Sequence, residues 1–97
     1  MSYNFHPAAE AEYLESIAYY ESKRAGLGAS FLTEFENNMV SVCKAPHRHP
    51  VEKQPEVRRV RMKRFPFTIL FRESSGAVEV LAVAHKRRRP QYWLGRL

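Results

Sequence analysis

The run Ala77–Ala84 constrains this chain more than any other stretch, because its second half carries apolar side chains on both faces of an extended strand. A strand of that kind needs neighbours on both edges and cover on both sides, which predicts a central place in a sheet. Glu73-Ser74-Ser75-Gly76 just before it has the composition of a hairpin turn. The strand on the other side of that turn alternates, with Phe67, Ile69 and Phe71 opposing Thr68, Leu70 and Arg72. Further upstream, Val57–Arg64 also alternates: Val60 and Met62 share a face with Arg58 and Arg64, and Arg59, Arg61 and Lys63 form a row of three cations on the other. Phe65-Pro66 interrupts between these two strands.

Cover for the sheet comes from the N-terminal half. Tyr3-Asn4-Phe5 alternates aromatic and polar residues and meets His6-Pro7, a short strand ending where a helix begins. The helix runs from Ala8 to about Arg24, with Glu10 and Glu12 placed favourably for its dipole. Ala11, Leu14 and Ala18 form one stripe, and Tyr13, Ile17 and Tyr20 an adjoining aromatic edge. Ala25-Gly26-Leu27-Gly28 breaks the period. A second helix follows from about Ala29 to Lys44, with Leu32, Phe35, Met39 and Val42 on one face, flanked by Phe31 and Cys43. Pro46, Pro50 and Pro55 then mark a loop that also holds His47, Arg48 and His49. The expected fold is a single α+β domain over residues 1–97, ordered β-α-α-β-β-β. An antiparallel helical hairpin packs on one face of a small antiparallel-rich sheet and leaves the cationic face open.

Size and charge then limit function. With 97 residues the chain builds one modest core and has no room for a separate cofactor-binding domain. Eleven of the 16 Lys/Arg but only two of the 10 acids, Glu73 and Glu79, lie in residues 57–97. Solubility does not need such segregation, and it predicts a polyanionic or acidic partner for the C-terminal part. Its densest stretch is His85-Lys86-Arg87-Arg88-Arg89-Pro90-Gln91-Tyr92-Trp93, where cations and flat rings follow the apolar strand directly. Cys43, the one cysteine, falls in a helical apolar pattern and reads as a core residue, consistent with a reducing compartment. His47 and His49 lack a nearby cysteine or carboxylate cluster, and no glycine-rich phosphate loop occurs, so neither a metal nor a cofactor is expected. With no signal segment and no long apolar run, the expected location is cytoplasmic, away from membranes.

Nearly the whole chain resembles the RelE/ParE superfamily of toxins from bacterial type II toxin–antitoxin systems. The resemblance rests on the element order, on Phe31-Leu32 and Glu36, and most specifically on Arg58-Arg59 followed by Arg64-Phe65-Pro66-Phe67-Thr68-Ile69-Leu70-Phe71-Arg72. Val83-Ala84-His85 and Arg87-Arg88-Arg89 resemble the family's last strand and basic tail. The Arg64–Phe67 segment and the long helical hairpin are more similar to ParE than to RelE. Thr68 stands where RelE-like nucleases carry an arginine, which removes a fixed positive charge from a phosphate site.

That resemblance implies a growth-inhibiting toxin of a plasmid-stabilisation type of system. In the ParE-like branch it would act by binding DNA gyrase, with a cognate antitoxin holding it in a hetero-oligomer. Target or antitoxin contacts would then fall on Arg59, Arg61, Lys63, Lys86, Arg88, Arg89 and Trp93. The alternative is a ribosome-dependent, metal-independent mRNA endonuclease. There His85 is the candidate general acid or base, Arg59, Arg61 and Arg87 stabilise the developing phosphate charge, and Tyr92 or Trp93 stacks on a splayed base. Structural roles compete for the same side chains: His85 suits a hydrogen-bonding cap of the sheet, and Tyr92 or Trp93 suits packing against its edge. Charge alone is also met by a non-toxic nucleic-acid-binding module.

Overall fold

In the computed structural model, which describes residues 1–97, the apolar run forms β5 (Ala77–His85) and occupies an interior position. The other elements are β1 (Tyr3–Phe5), α1 (Pro7–Lys23), α2 (Leu27–Lys44), β2 (Val51–Lys53), β3 (Val57–Arg61) and β4 (Phe67–Ser74). The five strands are ordered β1-β5-β4-β3-β2; β1 runs parallel to β5 and every other pair is antiparallel. The fold is thus the expected α+β arrangement, with one strand more than the sequence pattern indicates. No helix is long and apolar enough to cross a membrane.

The β4–β5 hairpin closes through Ser75 and Gly76, whose φ values of 53° and 79° both lie in the left-handed region that a two-residue turn of primed type requires. The pairing slips once along its length: Leu70 opposes Ala82, yet Phe71 opposes Val80, leaving Leu81 as the extra residue of a bulge. Alternation therefore changes phase within β5. Val78, Val80 and Val83 join the core beneath the helices, whereas Leu81 and Ala82 both face the other side. The bulge is the physical origin of a strand that reads as apolar on both faces.

Above the first face, α2 contributes Phe31, Phe35, Met39 and Val42, all fully buried or nearly so, against Phe67, Ile69 and Phe71 of β4. Phe31, expected at the flank of this face, lies at its centre, and Leu32 is only partly buried. The α1 helix, capped at its start by His6 Nδ1, which accepts the Ala8 amide at 3.1 Å, is rotated relative to expectation. It buries Ala9 and lays Tyr13, Ile17 and Tyr20 on the core, while Leu14 is 56% exposed and Ala11 and Ala18 face solvent. The aromatic edge prevails because its rings reach partners the alanines cannot: Tyr13 lies 4.5 Å from Phe35 and Tyr20 4.8 Å from Phe65, centroid to centroid.

The segment expected as loop contains a 3-10 turn, Pro46–Arg48, and the edge strand β2. Proline is tolerated here because an outer edge needs no N–H from every residue. Arg58 ties the segment down by donating to the His49 carbonyl at 2.7 Å and pairing with Glu56. β3 stops at Arg61 instead of continuing to Arg64, because Glu34 of α2 accepts the backbone amides of Lys63 and Arg64 and draws the chain toward the helices.

The interhelical turn depends on two glycines for different reasons. Gly26 has φ 89°, and at Gly28 a Cβ would stand 2.8 Å from the Ile17 carbonyl oxygen, inside contact distance of rigid backbone. Glu21 completes the turn by accepting the Gly26 and Gly28 amides at 3.1 and 3.0 Å. Gly28→Ala is expected to push the helices apart and lower stability by about 1–3 kcal/mol, read as an earlier denaturation midpoint with an unchanged helical spectrum. A midpoint equal to that of the parent would show that the helices do not need this close approach.

Candidate functional site

The face of the sheet away from the helices is only partly open. Val57, Leu70, Leu81 and Ala82 form a second apolar cluster there, and the chain after β5 returns across it so that Trp93, 3% exposed, closes the cluster. What holds this return in place is Glu12, on α1. Its Oε1 accepts the Val83 amide at 2.9 Å and Arg96 Nη1 at 3.0 Å; its Oε2 accepts the Tyr92 hydroxyl at 2.7 Å and Arg96 Nη2 at 2.9 Å. Arg96 also donates to the Leu81 carbonyl at 3.0 Å, at the bulge. Arg88 stands 3.9 Å over the Tyr92 ring and 3.8 Å from the Glu12 carboxylate.

The charges respond accordingly. Burial pushes the Glu12 carboxyl up, but the hydrogen bonds from Arg96, Val83 and Tyr92 outweigh it and hold the group below its ordinary range. Tyr92 moves the opposite way, well above the usual phenol range, through burial first and then its bond to the Glu12 carboxylate. In the sequence Glu12 read only as an acid favourable to the helix dipole, and Arg96 did not stand out. They are 84 residues apart, and the one local signal was an acid on the sheet-facing edge of a helix beside Tyr13.

Beside the Trp93 cluster lies an open groove of about 550 Å³ between β3 and the segment that follows β5. Arg59, Arg61, His85, Lys86, Arg88, Arg89, Tyr92 and Trp93 of the sequence-selected residues all line it, with Thr68 and Ala84 on the floor. Two do not join it. Lys63 lies past the end of β3 in a polar recess with Glu34, Asn37 and Asn38, so the expected row of three cations is a pair. Arg87 is exposed but lies outside the groove lining.

Within the groove the cations differ in availability. Arg59 is paired with Glu52 at 3.1 Å, while Arg61, Lys86 and Arg89 have no carboxylate within 4.0 Å. His85 stands edge-on to Phe67, and its Nδ1 accepts the Arg87 amide at 3.1 Å, a local cap at the end of β5. The Tyr92 ring is covered by Arg88 and its hydroxyl is engaged by Glu12; Trp93 is core. The arrangement therefore presents an unneutralised cationic lip over a largely neutral floor, with its aromatic residues committed to the fold.

Residues 3–90 match the family described as ParE toxin of type II toxin–antitoxin system, parDE. Among solved structures, the fold is similar to a chain from the chromosomal ParDE toxin–antitoxin system of P. aeruginosa, with a TM-score of 0.74 and 16% identity over 88% of this chain and 95% of the other. No individual curated protein matches the sequence.

Since folding lowers the Glu12 pKa, the carboxylate network contributes fully above the ordinary carboxylate range and is lost as pH falls through the folded value. Glu12→Gln should cost about 2–3 kcal/mol at neutral pH and flatten the loss of stability between about pH 5 and 2. Denaturant midpoints of both proteins across that range provide the measurement. Parallel acid limbs would show that the carboxylate is not what holds the C-terminal segment.

Proposed function

We propose that this chain, which belongs to the ParE toxin family of type II toxin–antitoxin systems, arrests growth by binding DNA gyrase and is neutralised by a cognate antitoxin. The observation that carries the binding reading is the commitment of the groove's aromatic residues to the fold. Tyr92 is fixed between Glu12 and Arg88, and Trp93 is buried. A nuclease would need at least one such ring free to stack on a splayed base. Thr68 supports the same reading, since it leaves the groove floor without a fixed positive charge. Arg61, Lys86, Arg88 and Arg89 are the residues assigned to the target or the antitoxin, and Arg59 supports them through Glu52. A basic surface of this kind suits an antitoxin segment that is acidic and orders on binding.

A ribosome-dependent endonuclease is the second reading, favoured by one feature: His85 and the unpaired Arg61 are both among the residues lining the groove.

The two readings separate in one experiment. Purified protein is expected to block negative supercoiling by gyrase, to leave ribosome-programmed mRNA intact, and to lose its effect when the co-purified antitoxin is present. His85→Ala should retain inhibition to within a few-fold, whereas loss of a general acid or base costs about 10²–10⁴-fold. Untouched supercoiling at saturating protein, with mRNA cleavage abolished by His85→Ala, would replace the gyrase reading with the nuclease one.

A further inference from the structure

We propose that the open groove on the second face grips the phosphodiester backbone of duplex nucleic acid, independently of base sequence. This goes beyond the gyrase reading and does not depend on it. Arg61, Lys86 and Arg89 are exposed, line one groove, and have no carboxylate within 4.0 Å. The one acid lining the groove, Glu52, is engaged by Arg59 at 3.1 Å. A groove so lined concentrates potential of one sign, and guanidinium groups match phosphate oxygens in geometry as well as charge.

What the groove lacks identifies the occupant further. Single-strand binders join cations to free aromatic platforms on which bases stack. Here Arg88 covers the Tyr92 ring at 3.9 Å, Arg96 stands 5.1 Å from it, and Trp93 is 3% exposed. The large apolar residues of this groove, Leu70 and Trp93 among them, are buried beneath it, so whatever docks here meets cations and not apolar anchors. Duplex backbone contact needs neither: it is carried by cations and fixes position without reading bases.

The test is fluorescence anisotropy of the full chain with a short labelled DNA duplex of mixed sequence, titrated across salt concentrations. Three groove cations predict a log–log slope of binding against salt of about −3, with little difference between unrelated duplex sequences. Lys86→Gln combined with Arg89→Gln should reduce the slope to about −1 and weaken binding about tenfold or more at fixed salt. Lys44→Gln combined with Arg48→Gln removes the same charge near the end of α2 and should leave affinity within about twofold. Equal weakening in both double variants would reduce the effect to net charge and overturn the site. Tighter binding to single strands or to polyglutamate than to duplex would overturn the assigned occupant. Supercoiling inhibition is scored separately on the same samples, so that a parent chain that inhibits gyrase but shows no salt-dependent duplex binding refutes the groove assignment and leaves the toxin reading standing.

Discussion

A single carboxylate organises the half of the molecule that faces away from the helices. Glu12 receives four hydrogen-bond donors from three separate places: a backbone amide of β5, a tyrosine hydroxyl and a guanidinium after it. Burying a carboxylate is costly unless every lone pair finds a donor, and here the donors are numerous enough to keep it ionised despite burial. Because Arg96 binds both oxygens of Glu12 and also the Leu81 carbonyl, the last residues of the chain are fastened to a helix and a strand at once. Trp93 is thereby held over Val57, Leu70, Leu81 and Ala82, which would otherwise be an apolar patch on an open sheet.

The groove follows from that fastening. β5 supplies the floor up to Ala84, and the bulge at Leu81 sets which of its side chains look toward the second face. The chain then turns at His85, whose Nδ1 caps the Arg87 amide, and presents Lys86 and Arg89 along one side while Arg61 on β3 faces them from the other. Cations beside acids are structural in this protein: Arg59 with Glu52, Arg72 with Glu79 and Arg96 with Glu12 each tie two segments together, and Arg58 pairs locally with Glu56. Along the groove itself, Arg61, Lys86 and Arg89 have no carboxylate within 4.0 Å, so its positive charge is left unneutralised there.

Much of the architecture was legible in the sequence because it depends on local signals. Ser75-Gly76 fixed the hairpin, the break at Gly26 set the helical hairpin, and the alternation of β4 identified its core face. Features set by tertiary contacts were not. α1 offers two apolar edges, and only the ring partners Phe35 and Phe65 decide that Tyr13 and Tyr20 turn inward and Leu14 outward. β2 carries prolines around it and little pattern, so its pairing with β3 is visible only once Arg58 is seen binding the His49 carbonyl. Lys63 kept strand parity in the sequence but left the strand because Glu34, 29 residues earlier, binds its amide. At the site, the cations were identifiable by type, yet which of them are free depends on Glu12 and Glu52, whose partners no spacing rule connects.

Trp93 is the one tryptophan of the chain and reports directly on whether Glu12 holds the C-terminal segment down. Its emission and its quenching by iodide, compared between the parent and Glu12→Ala at neutral pH with the far-ultraviolet spectrum followed in parallel, form the most direct measurement. The expected result is a red-shifted, readily quenched Trp93 in the variant while helix and sheet content persists. A Trp93 equally blue-shifted and equally protected in both proteins would contradict the role assigned to Glu12.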